Sequence, residues 1–119
     1  LPSVARLAGV KLPDGVEFDG EDFSRAWLGR EIQLRSRPLF WVRPPDRPGP
    51  ANDRWPDLAM REGNWKLLLM ADGTEPQLYD LAHDVAEAHN LAATHPDVVE
   101  RMQRELLAWH HSPDGRPTK

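Results

Sequence analysis

The side chains in this sequence that could do chemistry are few and scattered. His83, His89 and His95 recur every six residues, with Asp84 and Glu87 between them. Imidazole and carboxylate together can hold a divalent cation, but a six-residue step does not keep residues on one helical face, and compact zinc sites use closer pairs. Histidines on a surface connector account for the spacing better. His110 and His111 are adjacent and cannot share a helix face; they suit the negative end of a helix dipole. Asp80, Asp84, Glu87 and Asn90 could supply a general acid and base only in a cleft that drives their pKa values apart. Turn and cap hydrogen bonds explain the same residue types with less. Lys66, beside Trp65, reads as a solvated or ion-paired strand lysine. Trp41, Trp65, Trp109 and Tyr79 could stack on a sugar ring, although a core accounts better for Trp65 and Trp109.

One stretch differs. Residues 44–56, "PPDRPGPANDRWP", hold five prolines and almost no apolar periodicity. A long surface loop is the expectation, and loops of that length are commonly functional or disordered. Arg43, Arg47, Asn52, Arg54 and Trp55 cluster there, and arginine presents paired donors to an oxyanion. These five are the candidate contacts to a substrate or to another domain. No residue is assigned a catalytic, cofactor-binding or metal-binding role.

What must position these groups is a chain of 119 residues, one domain's worth or a piece of a larger one. Such a length buries roughly two-thirds of its unfolded surface, enough for one core, and five tryptophans supply bulk. Twelve prolines and eight glycines argue for several turns and against an all-helical bundle. The net charge of −4 gives no nucleic-acid footprint. No window approaches the length of a membrane span. Without cysteine, disulfides, thiolate metal sites and thiol nucleophiles are excluded; the compartment stays undecided. The chain starts at Leu1, in mid-pattern and without a signal peptide, so we expect it to be cut from something longer.

Val4, Leu7 and Ala8 share a helical face, with Gly9 as a stop. Asp22 caps a short helix through "FSRAWLG" that ends at Gly29, with Phe23, Ala26 and Trp27 facing inward. "PLFWVR" (38–43) reads as a strand. "DLAMR" (57–61) and "WKLLLM" (65–70) flank Glu62-Gly63-Asn64, a three-residue hairpin connection with a positive φ at Gly63 or Asn64. "QLYDL" (77–81) is a third strand of this meander. Trp65, Leu67 and Leu69 point to one face, Lys66, Leu68 and Met70 to the other, so this strand is expected inside the sheet. Thr94 opens the last helix as its cap, with Asp97 in the capping-box position and Pro96 in the first turn. Val98, Val99, Met102, Leu106 and Trp109 form its apolar stripe.

The order of these segments resembles the C-terminal subdomain of the sulfatases (arylsulfatase and N-acetylgalactosamine-6-sulfatase-like, in the alkaline-phosphatase-like superfamily). "LPSVARLAGVKLPDGVEFDGEDFSRAWLG" is similar to the family's "LPTLLxLAGxxxPxxxxxDGxSLxPLLxG", and "RPLFW" to the strand that follows. "MREGNWKLLL" matches "xRxGxWKLI", and "LYDLAHDVAEAHNLA" matches "LYDLxxDPxExxNLA". "HPDVVERMQREL" matches the closing helix. The likeness runs from residue 1 to about 110. It departs from the pattern at Val85, where the family has proline, and at Asp22, a chemically equivalent replacement for the family's serine.

The resemblance implies an enzyme whose chemistry lies elsewhere in its chain. Sulfatases use a formylglycine made within Cys/Ser-x-Pro-x-Arg, and a calcium ion that polarises the sulfate oxygens. Ser36-Arg37-Pro38-Leu39-Phe40 has the Ser-x-Pro start, but Phe40 stands where arginine is required.

The expectations are therefore these. The fold class is α+β, an antiparallel sheet of about four strands (38–43, 57–61, 64–70, 77–80) under one long helix at 95–110, with short N-terminal helices. Residues 1–37 are the end of a catalytic domain with connector helices, 38–111 the sulfatase C-terminal subdomain, and 112–119 a flexible tail. The chain is a structural buttress, inactive alone, that helps shape the substrate entrance of a sulfate-ester hydrolase. It holds no cofactor itself; calcium and formylglycine belong to the parent enzyme. Its partners are the N-terminal catalytic domain of the same chain and the parent's sulfated substrate, with dimerisation through exposed apolar surface. Two alternatives stay open: a stand-alone carbohydrate- or protein-binding module, and the same subdomain from a phosphodiesterase or phosphonate hydrolase.

Overall fold

Alternation in "LAMRE" and "WKLLL" sets the centre of the fold. Leu58 and Met60 fall on the same side of their strand, and Leu67 and Leu69 on the same side of theirs. The two strands bury those pairs together. The computed structural model describes residues 1–33, 35–44 and 55–112. They form two compact units, Leu1–Ser36 and Arg37–Lys119.

The second unit is an antiparallel meander under a helix. Strands β1 (Leu39–Val42), β2 (Leu58–Glu62), β3 (Trp65–Leu69) and β4 (Gln77–Asp80) pair in sequence order. The register sets Met60 opposite Phe40 and Leu67, and Leu67 opposite Leu78. Helix α3 (Pro96–His111) closes that face with Val99, Met102 and Leu106. Seven side chains are almost completely buried: Leu58, Met60, Leu67, Leu69, Leu78, Met102 and Leu106. Each aliphatic group so buried contributes about 1.5–3 kcal/mol relative to exposure. Phe40 stacks on Trp109 at 5.1 Å and 12°, tying the edge strand to the last turns of the helix. The α+β architecture expected from the sequence is present, and β3 lies inside the sheet.

Two local details differ from the sequence reading. Glu62 pairs directly with Trp65, so the β2–β3 connection has two residues, Gly63 and Asn64, rather than three. Gly63 takes φ 56° and Asn64 no positive φ, as in a II′ turn, whose twist matches that of the flanking strands. Thr94 does not cap α3. Its hydroxyl donates to the Leu91 carbonyl at 2.9 Å, and the N-cap position falls to His95, without a side-chain cap bond. His95 precedes Pro96, which disfavours the α region for it, and it sits outside that region at φ −129°, ψ 60°.

The first unit carries helix α1 (Pro2–Leu7) and helix α2 (Ser24–Trp27). Here the expected inward faces are met only in part: Phe23 and Ala26 are half-buried. Val4, Leu7 and Trp27 are exposed, whereas Ser3, Ala5 and Ser24 are buried. The reason is polar. Ser3 Oγ accepts the Phe23 amide at 2.8 Å and donates to the Glu21 carbonyl at 3.3 Å, which turns the serine side of α1 inward. Asp22 does serve the start of α2, accepting the Ser24 amide at 2.9 Å, although Phe23 occupies the N-cap position. No described helix is long and apolar enough to cross a membrane.

Candidate functional site

Of the five candidate contact residues, Arg43 and Trp55 are described; Arg47, Asn52 and Arg54 lie outside the described residues. Arg43 leaves the end of β1 and is anchored twice to Asp57. Its amide donates to the Asp57 carbonyl at 2.7 Å, and its guanidinium reaches the Asp57 carboxylate at 3.2 Å. The other Asp57 oxygen accepts the Ala71 amide at 3.0 Å, and the Asp57 amide donates to Leu69. One aspartate thus joins the ends of β1, β2 and β3. A guanidinium has five donors, and among the described residues the Asp57 carboxylate is the partner seen. Trp55 is exposed beside this junction.

The second candidate cluster lies around the connector from Leu81 to Thr94. Lys66 is on the sheet face away from α3 and donates to both carboxylate oxygens of Glu87, at 2.6 and 2.8 Å. Asp80 accepts the Ala82 amide at 3.0 Å and meets His83 Nδ1 at 2.7 Å. Asp84 accepts the amides of Ala88 and His89. Asn90 accepts those of Leu78 and Ala92. These bonds set the protonation states. The His83 contact and the Ala82 amide hold Asp80 below the usual carboxylate range. The Ala88 and His89 amides do the same for Asp84, and Ser24 does it for Asp22. Carboxyls held charged as acceptors cannot give up a proton near neutral pH, so they work as turn and cap pins.

The three spaced histidines do not converge. His83 and His89 attach to different aspartates, and His95 rests against Trp65 at a ring distance of 5.2 Å. The aromatic residues also part company: Trp65 and Trp109 lie on the helix side of the sheet, Trp41 and Tyr79 on the other. They make no common platform for a sugar ring. Burial, with Glu87 and Asp84 nearby, raises the Tyr79 pKa, and its hydroxyl donates to Gln77 at 2.9 Å.

Sequence reasoning missed one charged group of the helix face. Arg101 of α3 meets Glu62 of β2 at 2.6 Å. Burial, reinforced by Glu62 and partly offset by Arg101, pushes Glu105 upward. The available signal was parity: Glu62 shares the side of Met60, so it needed a cation from whatever covered that side. A shallow groove of about 490 Å³ runs beside α3, bordered by Pro76, Ala92, Val99, Leu107 and the Glu100–Arg104 pair.

Among known proteins, no family model matches the chain. An uncharacterized sulfatase of Schizosaccharomyces pombe is 30% identical over 116 residues, which is 92% of this chain and 20% of that protein. Arylsulfatase K of Mus musculus is 26% identical over 110 residues, 88% of this chain and 19% of its own. A solved structure from Bacteroides thetaiotaomicron, tied to its metabolism of multiple glycosaminoglycans, superposes with a TM-score of 0.60 at 26% identity, over 86% of this chain and 22% of that one. The fold is also shared with Ps i-CgsB, solved in complex with k-i-k-neocarrahexaose, at a TM-score of 0.67 and 24% identity, over 98% of this chain and 24% of that one. Sulfatases match most of the length of this chain, which supports a sulfatase C-terminal subdomain. The chain spans about a fifth of the length of the curated relatives it matches.

Proposed function

We propose that this chain serves a sulfuric ester hydrolase as a structural buttress, and that bond cleavage is carried by residues outside these 119. The observation that supports this reading is a mismatch of scale: sulfatase likeness covers 92% of this chain and only 20% of the relative. The chemistry of the donor set agrees. Formylglycine would have to come from Cys/Ser-x-Pro-x-Arg, and the chain has no cysteine and Phe40 where its Ser-x-Pro sequence would need arginine. Calcium would need converging free carboxylates. Asp22, Asp80 and Asp84 are already committed to backbone amides or histidine, and among the described residues no three potential ligands come together. The described residues therefore fit neither group.

In this reading Arg43 and Trp55, with Arg47, Asn52 and Arg54, border the substrate entrance or the catalytic domain, and residues 1–37 belong partly to that domain. The test is an assay with an aryl sulfate and calcium. The native-length protein turns the ester over, and the 119-residue chain does not. Calcium-dependent turnover by the short chain, above that of a mock purification, overturns the proposal.

A further inference from the structure

The two edges of the sheet are finished differently. On β4 the outward groups of Leu78 are both taken: its amide donates to Asn90 Oδ1 at 3.0 Å, and its carbonyl accepts the Leu91 amide at 2.8 Å. The connector thus closes that edge. The edge at β1 is bare. Hydrogen bonding alternates along an antiparallel pair. The Arg43 amide donates to the Asp57 carbonyl, and that fixes the phase. Leu39 and Trp41 bond inward to Arg61 and Ala59, while Phe40 and Val42 aim their amides and carbonyls away from the sheet. The row Phe40–Met60–Leu67–Leu78 agrees: its two ends face outward together. Among the described residues neither Phe40 nor Val42 has a hydrogen-bond partner on that side. Trp41 and Val42 are also exposed, at 46% and 52%.

Unpaired edge groups template another strand, and edges are normally blunted by charge, proline or a bulge. β1 has no proline or bulge within it, and of the four described strands it alone carries no charged side chain. We propose that the outer edge of β1 pairs antiparallel with the same edge of a second copy of this chain, joining two four-stranded meanders into one continuous sheet. Symmetry and charge select that occupant. Phe40 and Val42 flank Trp41 evenly. A two-fold axis at Trp41 therefore sets Phe40 opposite the other copy's Val42, each such pair exchanging both of its backbone bonds. The two Trp41 residues meet at a position without hydrogen bonds, where Cα atoms approach to about 4.5 Å and aromatic pairs stabilise a sheet. Arg43 falls opposite the other copy's Leu39. The two guanidinium groups lie at opposite ends of the joint, each neutralised by its own Asp57. Pro38 and Pro44 bracket the strand and confine the pairing to it. Two four-residue edges make a small interface, so the association is weak and concentration-dependent. It does not depend on the buttress reading.

The chain has no cysteine, so a single introduced one reports on the register. Under mild oxidation Trp41→Cys is expected to give a disulfide-linked dimer, because residue 41 meets its own copy within disulfide reach. Leu39→Cys and Val42→Cys should cross-link far less, since each lies more than about 7 Å from its own copy in this register. Val42→Pro is the second variant. It removes a donor that faces away from the sheet, where an edge strand accepts proline. Its thermal midpoint should stay close to that of the unsubstituted chain, while the dimer followed by light scattering is lost and Trp41→Cys in that background no longer cross-links. No cross-link at 41, equal cross-linking at 39, 41 and 42, or a dimer that survives Val42→Pro overturns the proposal; the cross-linking order decides whether or not the proline variant folds. A dimer of the short chain that the native-length protein does not share also overturns it, because the edge then belongs to other residues of that protein.

Discussion

Glu87 occupies the left-handed region, at φ 55°, which costs an ordinary residue roughly 1 kcal/mol. Its carboxylate is repaid by Lys66, gripped through both oxygens at a site where each partner is about 70% covered. The sequence shows the two residues as unremarkable members of separate segments, because the pairing depends on the connector folding back across the sheet. Replacement by alanine should remove the ion pair and keep the backbone strain, destabilising by about 1 kcal/mol. Glycine should remove both and come out near neutral. Urea unfolding of Glu87→Ala and Glu87→Gly gives that order directly; alanine more stable than glycine would contradict it. Asp84 makes a pH prediction. Its folded pKa lies below the unfolded value, so its contribution is present above the ordinary carboxyl range and disappears as the pH falls through the depressed one. Acid-induced loss of stability below about pH 4 should be shallower in Asp84→Asn than in the parent chain, followed by the urea midpoint from pH 6 to pH 3.

Elements were the most legible level. Period-two alternation gave β2 and β3 their buried faces, and the three- and four-residue steps of Val99, Met102 and Leu106 gave α3 its seam. Both follow from geometry that sequence carries directly. Caps and turns were read less well. Thr94 had the right chemistry for a cap, but proline restriction moved the boundary one residue on, and the hydroxyl found a nearer carbonyl. The faces of α1 could not be read either, since an apolar stripe says that a side must be covered and not what covers it. Gly63 and Gly73 allow the turn argument to be tested. Both have positive φ, but a Cβ on Gly63 meets nothing within 4 Å, whereas one on Gly73 meets Leu107 at 3.1 Å and Gln103 at 3.3 Å. Gly63→Ala should cost about 1 kcal/mol from backbone conformation alone. Gly73→Ala should cost more, because it also disturbs the Gln103 bond to the Gly73 carbonyl at 3.0 Å, which ties the β3–β4 turn to α3. Equal losses in thermal unfolding would show that the turn yields freely.

For the whole molecule, the contrast lies between a unit with a large buried core and a unit whose described residues bury no large apolar side chain. Leu58, Met60, Leu67, Leu69, Leu78, Met102 and Leu106 form the core of the sheet and helix. The family resemblance was legible because it is written in ordered segments that mostly serve this packing. The candidate contact residues were legible only as composition, an arginine-rich and proline-rich interval, which carries no coordinates. In dilute solution the short chain should self-associate as its concentration rises, since its apolar side chains are uncovered; light scattering across a concentration series measures this, and a strict monomer throughout would contradict it. Asp57 has a different consequence. By fastening Arg43, Leu69 and Ala71 together it fixes both mouths of the interval between β1 and β2, whatever lies between them. Closure entropy rises only with the logarithm of loop length, so doubling the ten residues 45–54 should cost roughly 0.6 kcal/mol. The Asp57 junction thus makes that interval a socket: a longer insert placed there should leave the register of the sheet beneath it unchanged.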